Sequence, residues 1–287
     1  IRMMVDSEIM VDVSTTSRVR GSIPMSDTLP GVKHVIAVAS GKGGVGKSTL
    51  SASLALALSG MGAKVGLLDA DIYGPSVPTM FGVSASPEMY MKGDKQIMIP
   101  VEAKGVKLMS IGLMTARGQA IVWRGPMVSS AFKQFVQDTD WGDLDYLIID
   151  LPPGTGDVQL SLVQNVPLTG VVIVTTPQEM ALTDARRAMG MFSMEAVNKK
   201  ILGVVENMSY FTPDDAPDKK YRLFGEGGGK ALSEEYNVPF LGELPLNPAL
   251  MKLIDEGNLT SDAIELKPYD QVAGALAQQV SMLQITK

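Results

Sequence analysis

The chain of 287 residues contains no cysteine and a single histidine, His34. Without a thiol it can form no disulfide, no thiolate nucleophile and no cysteine-ligated zinc or iron-sulfur site of its own. One imidazole cannot build a histidine metal cluster, and His34 stands at the edge of an apolar segment, where packing is the expected role. No apolar run reaches the length that spans a bilayer. An excess of basic residues is also missing. The formal charge of −6 argues against a general affinity for nucleic acid or for anionic membrane surfaces. Arg2, Asp6 and Glu8 break any secretory pattern at the start, so a cytoplasmic location is expected.

What is present is the composition of an ordinary globular protein, 45% hydrophobic and 20% charged. The nineteen methionines are expected to serve mainly as flexible core filling, and Trp123 and Trp141 as packing residues. Residues 1–31 are of mixed polarity and punctuated by Gly21, Pro24, Pro30 and Gly31, as a linker or the remnant of a longer N-terminal region would be. Residues 32–287 read as one domain.

The informative stretch is VIAVASGKGGVGKST, Val35 to Thr49. A β-branched apolar run enters a glycine-rich loop, and a long Ser/Ala/Leu helix, Leu50 to Leu58, follows. The spacing Gly41, Gly46, Lys47, Ser48 fits the P-loop, whose backbone N–H groups cradle phosphates. Gly41, Lys42, Gly43, Gly44, Val45, Gly46, Lys47, Ser48 and Thr49 are therefore the expected nucleotide-binding set. Lys47 would neutralise the β- and γ-phosphates, Ser48 would ligate magnesium, and the helix would offer its positive end. A purely structural strand-to-helix turn would not need the lysine and the hydroxyls.

Strands are expected at Val65–Leu68, Asp145–Asp150, Val171–Thr175, Ile201–Val205 and Phe240–Leu244, with helices at 127–137, 182–197, 227–236, 248–256 and 269–283. This alternation implies an α/β fold, a mostly parallel sheet flanked by helices. Tyr73–Gly118, rich in Pro, Gly and Met, is expected to form a small hairpin-like insertion that includes 96–100 and 106–111. Ligands bind at the C-terminal edges of such sheets. Asp69 and Asp71 arrive there, expected to point the same way along an extended segment. Asp150 ends a strand in the manner of a Walker B element and would hold magnesium through water. In the following Pro-Pro-Gly-Thr-Gly string, Gly154 lets a backbone N–H approach the γ-phosphate, and Asp157 reads as a helix N-cap or part of the switch. Asn207 offers an amide that matches both donor and acceptor positions on adenine.

KGGVGKST resembles the deviant P-loop of the ATPases that include MinD, ParA and the nitrogenase iron protein. LLDADIYGPSVPTMFG (67–82), IIDLPPGTGD (148–157), TTPQEMALTDARRA (175–188) and ENMSYF (206–211) are similar to the Mrp/ApbC iron-sulfur carrier subfamily. The resemblance runs from Val32 to the C-terminus. It implies a homodimer around ATP and Mg2+ in which Lys42 reaches the partner's nucleotide. It further implies that Asp71 orients the attacking water, Asp69 supports magnesium, Asn207 reads the base and Pro245 packs beside it. Iron-sulfur assembly or acceptor proteins are the implied partners. The sequence departs from the family after Asn207. Relatives that carry clusters place a Cys-x-x-Cys pair before the FGEGGG string, whereas this chain reads TPDDAPDKKYRL. Asp214, Asp215 and Asp218 are hard donors poorly suited to iron-sulfide cores, so a solvated loop is expected there. Two rival readings share the same motifs: a ParA- or MinD-like positioning ATPase, and an adaptor that binds ATP without turnover.

Overall fold

The first strand, β1, runs from Val32 to Ala39, longer than the apolar run alone suggests, because Val32 and His34 already pair with Leu144 and Tyr146. The structure is a computed structural model that describes residues 28–72, 74–114, 125–164 and 166–283. Trp123, Tyr73 and most of the expected linker lie outside the described residues. Leu29 is nonetheless buried, and Leu144 N donates to the Gly31 carbonyl, so packing begins before the expected boundary at residue 32.

After β1 come α1 (Lys47–Gly60), β2 (Val65–Asp69), α2 (Val77–Met80), β3 (Met89–Lys92), β4 (Lys95–Met98), β5 (Val101–Ala103), β6 (Val106–Ser110) and α3 (Gly125–Gln137). The second half holds β7 (Leu144–Asp150), α4 (Asp157–Gln164), β8 (Gly170–Thr175), α5 (Glu179–Ser193), β9 (Ile201–Tyr210), α6 (Gly228–Glu235), β10 (Phe240–Pro245), α7 (Pro248–Asp255) and α8 (Lys267–Met282). Eight strands form one sheet in the order β10-β9-β8-β1-β7-β2-β6-β5, parallel except for β5. The expected α/β architecture is thus present. The insertion is smaller than expected: only β3 and β4 form a separate hairpin, while 106–110 joins the main sheet beside β2. Val106, Leu108 and Met109 are buried there, which an exposed hairpin could not achieve.

Alternation along β1 distributes its side chains to two cores. Val35, Ala37 and Ala39 face a cluster with Phe132, Leu162 and Phe192, whereas Ile36 and Val38 face one with Leu54, Leu58 and Leu276. Every residue from Leu50 to Leu58 is buried because α8 covers the side of α1 turned away from the sheet. Truncating a core leucine such as Leu54 to alanine costs about 2–5 kcal/mol.

Three local expectations need correction. Helix α5 starts earlier and stops earlier than expected, as Met194 turns extended at φ −61°, ψ 141°. Asp157 is the first residue of α4 and not its cap; the Gly156 carbonyl accepts the Leu160 N–H at 3.1 Å. The methionines are not mainly core filling. Met80, Met98, Met109, Met189 and Met191 are buried, but nine others are exposed, several on β3 and on helix surfaces. Trp141 is buried, and His34 packs against the Tyr146 ring at 5.5 Å.

Candidate functional site

The register of the sheet assembles the site. Val38, Asp150 and Asp69 lie side by side across β1, β7 and β2, so the loop after β1 opens directly over two carboxylates. The loop turns through Gly44 and Gly46, both at φ +83°, a left-handed conformation open to glycine at little cost. Gly46 caps α1 without a side-chain hydrogen bond, leaving the first-turn N–H groups directed at the loop. Gly43 and Gly44 face open space. Gly41 serves a different purpose: a Cβ there would lie 2.1 Å from the Asp184 backbone, so this glycine lets α5 pack on the loop.

Under the loop, Lys47 is buried and its Nζ donates to Asp150 Oδ1 at 2.8 Å and lies 3.9 Å from Asp71 Oδ2. Ser48 Oγ donates to Asp150 Oδ2 at 2.5 Å. A hydroxyl beside a carboxylate is a hard oxygen donor set that fits Mg2+. Thr49 is partly exposed on the first turn of α1. Lys42 is also partly exposed, and its carbonyl accepts from Ser40 Oγ.

The two acids after β2 differ more than an extended segment would make them. β2 ends at Asp69, the chain then turns, and Asp71 reaches the lysine from that turn, with 14% of its side chain exposed. Asp69 is wholly buried. Its oxygens accept from Asp71 N, Ser110 Oγ and Val77 N, tying β6 and α2 to the site. Burial first, and the neighbouring Asp150 charge second, push the Asp69 carboxyl up to about 7 against the opposing pull of Lys47, Ser110 and the Asp71 N–H.

Gly154 has φ +99°, and its N–H donates to the Ser40 carbonyl at 3.0 Å, so contact with a phosphate requires the 152–156 loop to leave Ser40. Asn207 lies against the loop. Its Nδ2 donates to the Val45 carbonyl at 2.9 Å, and a Cβ on Gly46 would sit 2.2 Å from that nitrogen. Pro245 ends β10 opposite Tyr210, with Leu246 N bonded to the Tyr210 carbonyl. Ser51, Ser110 and Glu206 were not foreseen from sequence. Ser51 is bonded to Asp150, and Glu206 accepts from Gly229 N at 2.6 Å, joining the FGEGGG string to β9. Ser51 follows Lys47 by one turn, but nothing local in the sequence separates it from the Ser, Ala and Leu residues around it.

The stretch after β9 is a short hairpin closed by paired backbone bonds between Phe211 and Tyr221. Arg222 grips Glu243 through two nitrogens, at 2.6 and 3.3 Å, and Lys220 Nζ lies 3.9 Å from the centre of the Tyr210 ring. Asp214, Asp215 and Asp218 are exposed, and among the described residues no group of three or more His, Cys, Asp or Glu could hold a metal.

The profile of the family described as "ParA: NUBPL iron-transfer P-loop NTPase" matches residues 31–281. The chain belongs to this family. Two relatives of these iron-transfer NTPases are named iron-sulfur cluster carrier proteins. The one from Synechocystis is 46% identical over 96% of this chain and 79% of its own length. The one from Deinococcus radiodurans is 52% identical over 88% and 72%. Among solved structures, a nucleotide-binding protein from Archaeoglobus fulgidus in complex with ADP is 38% identical. It superposes with a TM-score of 0.70 over 81% of this chain and 89% of that one. The cell division protein MinD of Aquifex aeolicus shares the fold at 22% identity, with a TM-score of 0.57 over 84% and 95%. An iron-transfer NTPase is thus what the resemblance in the motifs implied.

Proposed function

We propose that the protein is a slow, Mg2+-dependent ATPase that dimerises around its nucleotide in the cytoplasm and acts in the assembly or delivery of iron-sulfur clusters to acceptor proteins. The observation that carries the nucleotide part is the convergence of Lys47, Ser48 and Asp150 beneath a glycine-rich loop at the start of α1. Family membership and the relatives' names carry the purpose.

Lys47 would exchange Asp150 for the β- and γ-phosphates, and Ser48 and Asp150 would hold the cation, Asp150 through water. The cation, when bound, screens the phosphate charge and fixes the phosphate geometry. Asp71, already within 3.9 Å of Lys47, orients the attacking water. Lys42 of the second copy joins Lys47 in stabilising charge on the transferring group. Asp69 supports the cation site indirectly, by fixing Asp71 and the start of α2. Asn207 reads adenine with its carbonyl oxygen, an acceptor for the exocyclic amine, while its Nδ2 stays on Val45; Pro245 packs beside the base. Such catalysis is positioning plus electrostatics, as suits a switch.

The cluster is cargo, and the described residues do not fit it: they include no thiolate, and the carboxylates of the hairpin are exposed. A positioning role on a membrane finds no support in α8, whose apolar residues Tyr269, Val272, Leu276 and Val280 are buried. Among the described residues no helix is long and apolar enough to cross a membrane.

The test is ATP turnover and dimerisation of wild type, Lys47→Ala and Lys42→Ala. Lys47→Ala loses nucleotide binding; Lys42→Ala binds nucleotide but neither turns it over nor dimerises. Loss of binding in Lys42→Ala would remove that lysine from the second copy's site, and turnover equal in wild type and Lys47→Ala would leave only the adaptor reading. Anaerobic incubation with ferrous iron and sulfide, then desalting, tests the cargo. Retained stoichiometric iron supports a carrier, and none moves the switch toward regulating a partner.

A further inference from the structure

Asp150 is fully buried and accepts three side-chain donors: Lys47 Nζ at 2.8 Å, Ser48 Oγ at 2.5 Å and Ser51 Oγ at 2.7 Å. The proposed reaction treats the three differently. Lys47 would turn to phosphate, and Ser48 would turn to the cation. Ser51 lies one turn deeper on α1, has no exposed surface and can reach neither. Its bond to Asp150 is the one of the three that neither ligand would draw away. A carboxylate turns readily about its last torsion, which is broad and two-fold, so a single retained donor decides where its oxygens aim.

A helical serine ordinarily bonds back to the carbonyl four residues earlier, and Ser51 Oγ does lie 3.0 Å from the Lys47 carbonyl. The hydroxyl has one proton, however, and the contact to Asp150 is shorter and charge-assisted. Ser53 on the same helix provides an internal contrast. It is as fully buried, and its hydroxyl has no hydrogen-bond partner.

We infer that Ser51 is a positioning residue that keeps the Asp150 carboxylate aimed at the magnesium position while Lys47 and Ser48 serve the ligand. The inference rests on the magnesium-nucleotide reading of the site. Its test is calorimetric titration of ADP over a series of Mg2+ concentrations, and in EDTA, with wild type, Ser51→Ala, Ser51→Thr and Ser53→Ala. Ser51→Ala raises the Mg2+ concentration for half-maximal tightening of ADP by about tenfold, the worth of one hydrogen bond to a charged group, and leaves binding in EDTA within about twofold. Ser51→Thr restores the wild-type midpoint, and Ser53→Ala never leaves it. Should Ser51→Ala fail to fold, Ser51→Cys supplies a weak donor of similar size and shifts the midpoint the same way. An unmoved midpoint, or an equal loss with and without Mg2+, overturns the role of Ser51. If wild type binds ADP without any response to Mg2+, the site reading falls and the Ser51 assignment with it.

Discussion

Gly41 opens the phosphate loop in sequence, yet its geometry makes it a packing residue, and Gly41→Ala separates the two roles. The added Cβ would lie 2.1 Å from the Asp184 carbonyl carbon and oxygen and 2.6 Å from Ala185 N, all backbone atoms that no rotamer change can move. Helix α5 would have to retreat by more than an ångström from the loop. It cannot do so cheaply, because Leu182, Ala185, Ala188 and Phe192 are buried beneath it. Overpacking against a rigid neighbour costs about 3 kcal/mol, up to about 5 when a helix must shift. That is about a fifth or more of a typical domain's stability of roughly 5–15 kcal/mol. At this size the melting temperature drops by roughly 6–10 °C. Gly43→Ala, whose Cβ meets nothing within 4 Å, is the control and stays within about 0.5 kcal/mol of wild type. Urea denaturation of the three proteins, with no nucleotide present, is the assay. A Gly41→Ala midpoint indistinguishable from wild type would refute the packing argument.

Gln159 on α4 is buried with both amide atoms unpartnered, so Gln159→Leu should stabilise the protein by about 1–3 kcal/mol; a lower melting temperature would show that the amide is satisfied in solution. Burial pushes the Asp145 carboxyl upward, but the Lys33 bond and the Lys64 N–H outweigh it and hold the group below its ordinary value. The ion form is therefore stabilising above the unfolded-state value near 3.9, and that stability is lost as pH falls through the lower folded-state value. Asp145→Asn should cost about 1 kcal/mol or less at pH 7, and the difference should vanish on acidification below pH ~3; a difference independent of pH would contradict the assignment. Arg222→Ala should cost under about 1 kcal/mol, since both partners are partly exposed, yet speed amide exchange across 211–221. Unchanged exchange there would mean that the Phe211–Tyr221 backbone bonds hold the hairpin alone.

Most of the fold and the chemical centre could be read from local pattern. The KGGVGKS string placed Lys47 and Ser48, and the apolar run before Asp150 placed the carboxylate they meet. What escaped depends on distant contacts. β6 looks like part of a Pro-, Gly- and Met-rich insertion until β2 lies beside it, and Gly41 looks like a phosphate glycine until Asp184 is known to touch it. Ser51 and Ser110 carry no mark that separates them from helix and strand filler; only the carboxylates opposite them assign their hydroxyls. The alternation of an extended segment points to Asp71, but a turn after β2 is what delivers it to Lys47.

The central position of β1 has a consequence for how the chain reaches its native state. Its two neighbours, β7 and β8, begin at Leu144 and Gly170, so the strand that leads into the phosphate loop emerges long before either edge can be paired. Non-local pairing of this kind is slow, and an unpaired apolar strand is exposed to aggregation meanwhile. Asp150 sits at the far end of the first of those late partners. During synthesis, a ribosome-bound fragment that stops short of residue 150 holds the loop without its carboxylate. Acquisition of tight nucleotide binding therefore reports that the middle of the sheet has closed.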